Sequence, residues 1–317
     1  MSVHTLDAVQ DEFCDVPTGI RICYRVYGPA NGEPLLLIAG LGLQLISWPL
    51  GLIDRLAQRG FRVIVLDNRD VGRSSRIDRR GPSLLRQFLR RPAKADYDLG
   101  DMAADAVGLL DHLNIASAHV AGMSMGGMIA QVIAARYPER TLSLTSIFST
   151  TGARKVGQPA FSSMLMLAEP PARTREQAVR WHNKIIAHIG PQTYAVSEDA
   201  MRAYAIQAWD RGLGARNREG VARQIGAIIK SGDRTEEVKQ IQAPTLVIHG
   251  DQDLMVAPSG GLATAAAIAG SEMVTIRGMG HYLPDGVVPL LSGLIGEHAG
   301  RNAARVEVEP LVGALRA

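Results

Sequence analysis

The sequence predicts an α/β fold, a mostly parallel sheet flanked by helices with a helical insert over one edge. Three observations predict it. An unbroken apolar run at 34–39 and largely apolar segments at 61–66, 117–121, 141–148 and 244–249 read as buried strands. Segments of helical period separate most of them, so the connections are right-handed crossovers between parallel strands. From 152 to 233 the alternation stops, and only helical patterns occur.

Composition bounds the function. The 317 residues suffice for one large α/β domain with an inserted subdomain, and 46% apolar with 21% charged residues is ordinary for a globular chain. Residues 1–16 are polar and acidic, which does not suit a secretory signal. The longest apolar stretch, 35–46, is broken by glycines and Gln44 and is too short to cross a bilayer. Two cysteines suit a reducing compartment, so a cytoplasmic protein is expected, and without CxxC or HExxH no metal or cofactor is signalled.

In chain order, 12–16 and 20–27 alternate apolar and polar around Pro17-Thr18-Gly19, a hairpin signal. A two-residue loop of Thr18 and Gly19 sets Cys14 opposite Cys23, although Pro17 lacks the amide of the tightest loop; two reduced cysteines are the favoured reading. Strand 34–39 runs into Gly40-Leu41-Gly42, a loop that brings backbone amides close to a ligand. Ser47 reads as the N-cap of helix 49–59, which Gly60 stops. Strand 61–66 precedes a polar loop, 67–74, in which Asp67 and Asp70 structure their own turn. Helix 98–113 aligns Met102, Ala106, Leu109, Leu110 and Leu113. The insert holds helices at 160–168, 175–188, 198–212 and 218–230, and its Met164, Met166, Met201, Trp181 and Trp209 are core of the insert in the plainer reading. Strand 272–276 and helix 288–298 close the fold. The domains expected are a core of 1–150 with 234–300, a cap of 151–233, and a loose tail, 301–317.

The stretch from Arg76 to Lys94 stands apart. Arg76, Arg79, Arg80, Arg86, Arg90, Arg91 and Lys94 face one acid, Asp78, so the rest of the chain is net negative. Leu84, Leu85, Phe88 and Leu89 recur there at helical spacing. A solvated excursion with one packed turn is the plainer reading, and peripheral contact with an anionic membrane the sharper one. Nucleic acid is not indicated, because the basic stretch lacks interleaved stacking aromatics.

The chemistry centres on Gly122-Met123-Ser124-Met125-Gly126, set between strand 117–121 and a helix that runs to Pro138. Strand, G-x-S-x-G and helix make a nucleophile elbow. The reversal strains the serine backbone, and glycines two residues either side remove Cβ atoms that would collide. In a parallel sheet the loops after the strands converge on one edge, where ligands bind. Four such loops carry Leu41, Ser124, Asp253 and His281. A serine needs a base, supplied by His281, whose second nitrogen needs a carboxylate to fix its tautomer, supplied by Asp253. Asp251 reads as a turn residue, His249 as a satisfied buried histidine, and His119, His182, His188 and His298 match no catalytic position.

With Ala39-Gly40-Leu41-Gly42-Leu43, the Asp67-Asn68-Arg69-Asp70-Val71-Gly72-Arg73-Ser74 loop, the elbow continued by Gly127, and Gly278-Met279-Gly280-His281, the chain resembles the α/β-hydrolases. Within them it is similar to the aclacinomycin methylesterase-like branch and to mycobacterial carboxylesterases and lipases. The resemblance implies an eight-stranded sheet, a helical cap, a metal-free serine hydrolase, and an oxyanion hole of the Leu41 and Met125 backbone N–H groups. Two positions depart from the family: Ala39 replaces a usual histidine, and Asp70 stands where glycine is usual.

The reading is a carboxylesterase acting through an acyl-enzyme on a small-molecule ester with an apolar part. Trp48, Met123, Trp181 and Trp209 are candidates for its pocket. Thioesters and phospholipid acyl esters share the tetrahedral intermediate. Peroxide-dependent perhydrolase or haloperoxidase chemistry and carbon–carbon bond hydrolysis remain open on the same three residues, as does a receptor with negligible turnover. Haloalkane dehalogenation is excluded, because it needs an aspartate at position 124.

Overall fold

The computed structural model describes residues 9–306 except 171, 192, 213, 215 and 216. Its eight strands form one sheet in the order β1-β2-β4-β3-β5-β6-β7-β8. They are β1 Glu12–Asp15, β2 Arg21–Tyr27, β3 Glu33–Ile38, β4 Phe61–Leu66, β5 Ala118–Met123, β6 Thr141–Ile147, β7 Thr245–Gly250 and β8 Glu272–Ile276. The hairpin β1–β2 is antiparallel, β2 joins β4 antiparallel, and every pairing beyond is parallel.

Alternate residues of the buried strands feed two cores. Leu36, Ile38, Ile64, Leu66 and Val120 face helices α3, Leu99–His112, and α4, Met125–Arg136. Leu35, Leu37, Val63, Val65 and Ile248 face α1, Leu50–Gln58, and α11, Val288–Val306. Covering both faces is what makes these strands continuous apolar runs rather than alternating ones. A reciprocal capping box starts α3: the Asp98 carboxylate accepts from the Gly100 and Asp101 amides, and Asp101 accepts from the Asp98 amide.

Between β6 and β7 lie α5 Phe161–Leu167, α6 Arg175–Ile189, α7 Glu198–Arg211, α8 Asn217–Ser231 and a short α9, Thr235–Val238; α10 is Ser259–Ala267 and α2 is Leu84–Phe88. Met166, Ile185, Ile186, Ile189 and Met201 form a small core of their own, and Trp181 packs on it. Arginines tie the insert to the sheet. Arg211 of α7 meets Asp67 at 2.6 Å and Asp11 at 3.0 Å, and Arg223 of α8 grips Asp70 with two bonds of 2.9 and 2.7 Å. Burial opposes the Arg211 charge, yet Asp67 and Asp11 outweigh it and raise its affinity for the proton.

Four expectations change. The hairpin register pairs Cys14 with Ile22 and Phe13 with Cys23, so the cysteines sit on opposite faces as free thiols. The cause is a longer turn: Gly19, at φ +80°, donates to the Val16 carbonyl, and the Val16 amide closes on Ile20, shifting the pairing by one residue. Ser47 caps no helix; its hydroxyl is 2.6 Å from Tyr204 OH of α7, and Pro49 precedes α1. The last helix extends to Val306, beyond the point where a tail is expected, while residues 307–317 lie outside the described residues. Finally, Leu84, Leu85, Phe88 and Leu89 are exposed rather than packed.

Candidate active site

Ser124 follows β5 and stands at the N-cap of α4 with φ 57° and ψ −123°, a backbone conformation that L residues rarely adopt. Its neighbours hold it there. The Ser124 amide donates to Ile147 O at 2.9 Å, and its carbonyl accepts from Ser149 Oγ at 2.8 Å and from the Met128 amide at 3.1 Å. A Cβ on Gly126 would strike the Ile38 carbonyl, and one on Gly122 would strike the Gly126 carbonyl. Both glycines are therefore needed for the strand and helix to approach this closely.

Three side chains from three loops meet in line. Ser124 Oγ–H donates to His281 Nε2 at 2.9 Å, and His281 Nδ1–H donates to Asp253 Oδ2 at 2.7 Å. The tautomer follows from Asp253, whose other oxygen accepts the Met255 and Val256 amides at 2.8 and 2.9 Å. Burial alone would raise the Asp253 pKa. The charge His281 carries when protonated and hydrogen bonds from His249, His281 and Val256 outweigh burial and hold the carboxyl well below the usual carboxylate range. The His281 backbone amide is pinned to Ile189 O at 2.6 Å, and Phe148 lies 4.5 Å from its ring. Such a line can take a proton from a hydroxyl and hold the resulting imidazolium.

Met125 follows Ser124 in the chain, and Gly40, the neighbour of Leu41, comes close to the serine: a Cβ on Gly40 would lie 3.1 Å from Ser124 Cβ. Met125 opens α4, so its N–H is among the helix-start amides with no intrahelical acceptor. Leu41 lies inside the Gly40–Leu43 turn, whose Leu43 amide donates to Gly40 O, and the next residue's amide, Gly42 N–H, donates to Gln224 Oε1 of α8 at 2.9 Å. Asp251 accepts the Gly278 amide at 2.7 Å and so shapes the turn before His281.

The pocket candidates separate. Trp48 and Met123 are buried in the core on the α1 side, 1% and 3% exposed. Trp181 lies on the insert's core, and the Trp209 indole lies close against Gly214. Three supporting groups escape sequence reasoning. His249 Nε2 donates to Val256 O at 2.9 Å and lies 3.3 Å from Asp253 Oδ2, so it touches the carboxylate as well as filling the core. Ser149 and Gln224 hold backbone groups of the elbow and the Leu41 loop. The four-residue spacing from His249 to Asp253 is the one sequence feature that ties any of them to the carboxylate.

Among the described residues no group of three or more His, Cys, Asp or Glu is placed to hold a metal, and no helix is long and apolar enough to cross a membrane.

Residues 33–285 match the family model described as alpha/beta hydrolase fold. Rhodomycin D methylesterase DauP of a Streptomyces species is 32% identical over 292 residues, 86% of this chain and 92% of its own length. Rhodomycin D methylesterase DnrP of Streptomyces peucetius is 31% identical over the same shares. The crystal structure of the enol-lactonase from Burkholderia xenovorans superposes with a TM-score of 0.71 at 24% identity, covering 91% of this chain and 100% of that one, a likeness of fold alone.

Proposed function

The chain belongs to the α/β-hydrolase fold family, in its methylesterase-like branch, and from that premise we propose that it is a serine hydrolase cleaving carboxylic esters through an acyl-enzyme. The observation that carries this reading is the unbroken hydrogen-bond line from Ser124 through His281 to Asp253. Ser124 Oγ attacks the ester carbonyl carbon while its proton passes to His281 Nε2. The leaving alcohol takes that proton as the carbon–oxygen bond breaks. Water, deprotonated by the same nitrogen, then releases the acid and restores the serine. The N–H groups of Leu41 and Met125 receive the developing oxyanion, where loss of one donor typically costs ~10²–10³ in rate.

Helices α5 to α8 act in this reading as a cap that excludes water and shapes the pocket, with Trp181 and Trp209 among its aromatic residues. A methyl ester of a bulky carboxylic acid is the first substrate to try, since two relatives carry the name methylesterase. Ser124→Ala decides the mechanism: it should keep the fold, lose ester turnover by about 10⁶, and escape labelling by fluorophosphonates. Labelling that survives in Ser124→Ala would identify another nucleophile and overturn the reading. A panel of methyl, nitrophenyl, thioester and phospholipid substrates then ranks the acyl classes.

A further inference from the structure

We infer that the segment from Arg76 to Lys94 is a docking surface for an anionic lipid bilayer. Its helical turn, Leu84–Phe88, buries none of its residues. Leu84, Leu85 and Phe88 are 66%, 67% and 84% exposed, and Leu89, next in the chain, is 49% exposed. Four large apolar side chains thus stand in water on the eight residues from Leu84 to Arg91, which also carry Arg86, Arg90 and Arg91.

Cations of the segment divide into two groups. Arg76 donates to Gly212 O, and Arg79 pairs with Asp96 at 3.2 Å, so these two fasten the base of the segment. The Gly81 amide donates to Glu219 Oε2 of α8, and Pro82 packs on Gly226, so the base is seated on the insert. Arg80, Arg86, Arg90, Arg91 and Lys94 have no ion pair among the described residues; Arg86 spends one donor on the Arg91 carbonyl. An open cleft of about 310 Å³, lined by Arg79, Arg80, Ser83, Arg86 and Asp96, adjoins the apolar turn.

A bilayer matches that chemistry in both parts. Apolar side chains on a short projecting turn gain by entering the headgroup–acyl boundary, and unpaired cations around them gain from anionic phosphates. The charge complementarity is local, because the rest of the chain is net negative and would be repelled by the same surface. A second exposed apolar set, Phe161, Met164, Leu165 and Leu167 on α5, lacks a basic residue in its helix and makes a built-in control. The inference stands on this surface alone and does not depend on the hydrolase reading.

Co-sedimentation of the full chain with phosphatidylglycerol–phosphatidylcholine vesicles, and with pure phosphatidylcholine vesicles, tests it at low and high salt. Binding is expected to anionic vesicles, to weaken with salt, and to fall at least tenfold in Arg86→Gln/Arg90→Gln/Arg91→Gln and in Leu84→Ser/Leu85→Ser/Phe88→Ser. Unchanged circular dichroism in both variants separates lost docking from lost folding. Equal partitioning of wild type and variants overturns the inference, as does loss of binding in Phe161→Ser/Leu165→Ser alone. Light scattering covers a second copy of the chain as occupant: a dimer that Leu84→Ser/Leu85→Ser/Phe88→Ser dissolves, with no vesicle binding, would overturn it as well.

Discussion

Asp253 and the pair Asp67 and Asp70 are buried carboxylates at the same edge of one sheet, yet their partners differ in kind. Asp253, after β7, faces the imidazoles of His281 and His249 and two backbone amides. Asp67 and Asp70, after β4, face the guanidiniums of Arg211 and Arg223, which come from helices of the insert. An imidazole gains and loses its proton near neutral pH, whereas a guanidinium stays charged. The first arrangement therefore suits moving a proton, and the second suits holding two parts of the chain together.

The comparison breaks most severely at Asp253. Asp253→Asn leaves His281 Nδ1 facing an amide that favours the wrong tautomer, and turnover should fall about 10⁴-fold with little change in melting temperature. Asp251→Asn, which only loosens the bond to the Gly278 amide, should cost tenfold or less. The reverse ranking, read from kcat/KM, would show that the carboxylate of the reaction is Asp251.

At the second station the loss should appear as stability instead. Arg223→Met leaves the buried Asp70 without a counter-charge, held only by the Tyr97 hydroxyl and the Ile77 amide, at a cost of about 3–5 kcal/mol in chemical denaturation. Adding Asp70→Gly removes the stranded charge at a position whose φ of +74° glycine accepts readily, so most of that loss should return. A double variant as unstable as the single one would show that the pair is not what holds α8.

Acid separates the stations by degrees. The Asp253 carboxyl is lowered, so its contribution to stability is complete above the unfolded carboxylate value and is lost only as pH falls through its own lower one. Histidines buried as neutral rings respond earlier. Burial, aided at His119 by the charge of His298, pushes His119 down to about 4, and burial alone does the same to His182. The unfolded chain binds protons at both from about pH 6.5 downward while the native chain does not until about pH 4. Stability should therefore decline across that window, by roughly 3 kcal/mol at most for each ring. Denaturant titrations at pH 7, 5.5 and 4.5 measure the slope, and His119→Gln should flatten it. The smallest effect expected is from reductant: Cys14 and Cys23 lie on opposite faces, so dithiothreitol should leave the melting temperature unchanged.

Much of this was readable in one dimension, for physical reasons. Strands covered on both faces write themselves as runs such as Leu35-Leu36-Leu37-Ile38, and a serine between glycines at a strand end has few other uses. The order Ser124, Asp253, His281 could be read because each follows a separate strand. Partners that lie far apart in the chain left no local trace. Asp70 looked like an unexplained departure from glycine until Arg223, 153 residues away, closed on it. Ser47 resembled a helix cap because cap preference is local, while its hydroxyl is claimed by Tyr204. The cysteine register slipped by one because a turn gained a residue. Helical spacing placed Leu84, Leu85, Phe88 and Leu89 together, but spacing carries no information on whether a face meets protein or water.

The bond from Gly42 N–H to Gln224 joins the loop beside Ser124 to a helix 182 positions further along the chain. Helices α5 to α7 rest on a small core of five buried residues, and α8 reaches the sheet's core through Ala227 and Ile228, whereas the sheet is packed on both faces. Partial opening of the insert thus demands less free energy than melting the sheet, and it frees Gly42 when it occurs. In mild denaturant the enzyme should fall silent while its strands are still fully paired. Its working range would then be set by the least cooperative part of the molecule, and activity would return on dilution as fast as the helices re-dock, with no wait for the sheet to fold.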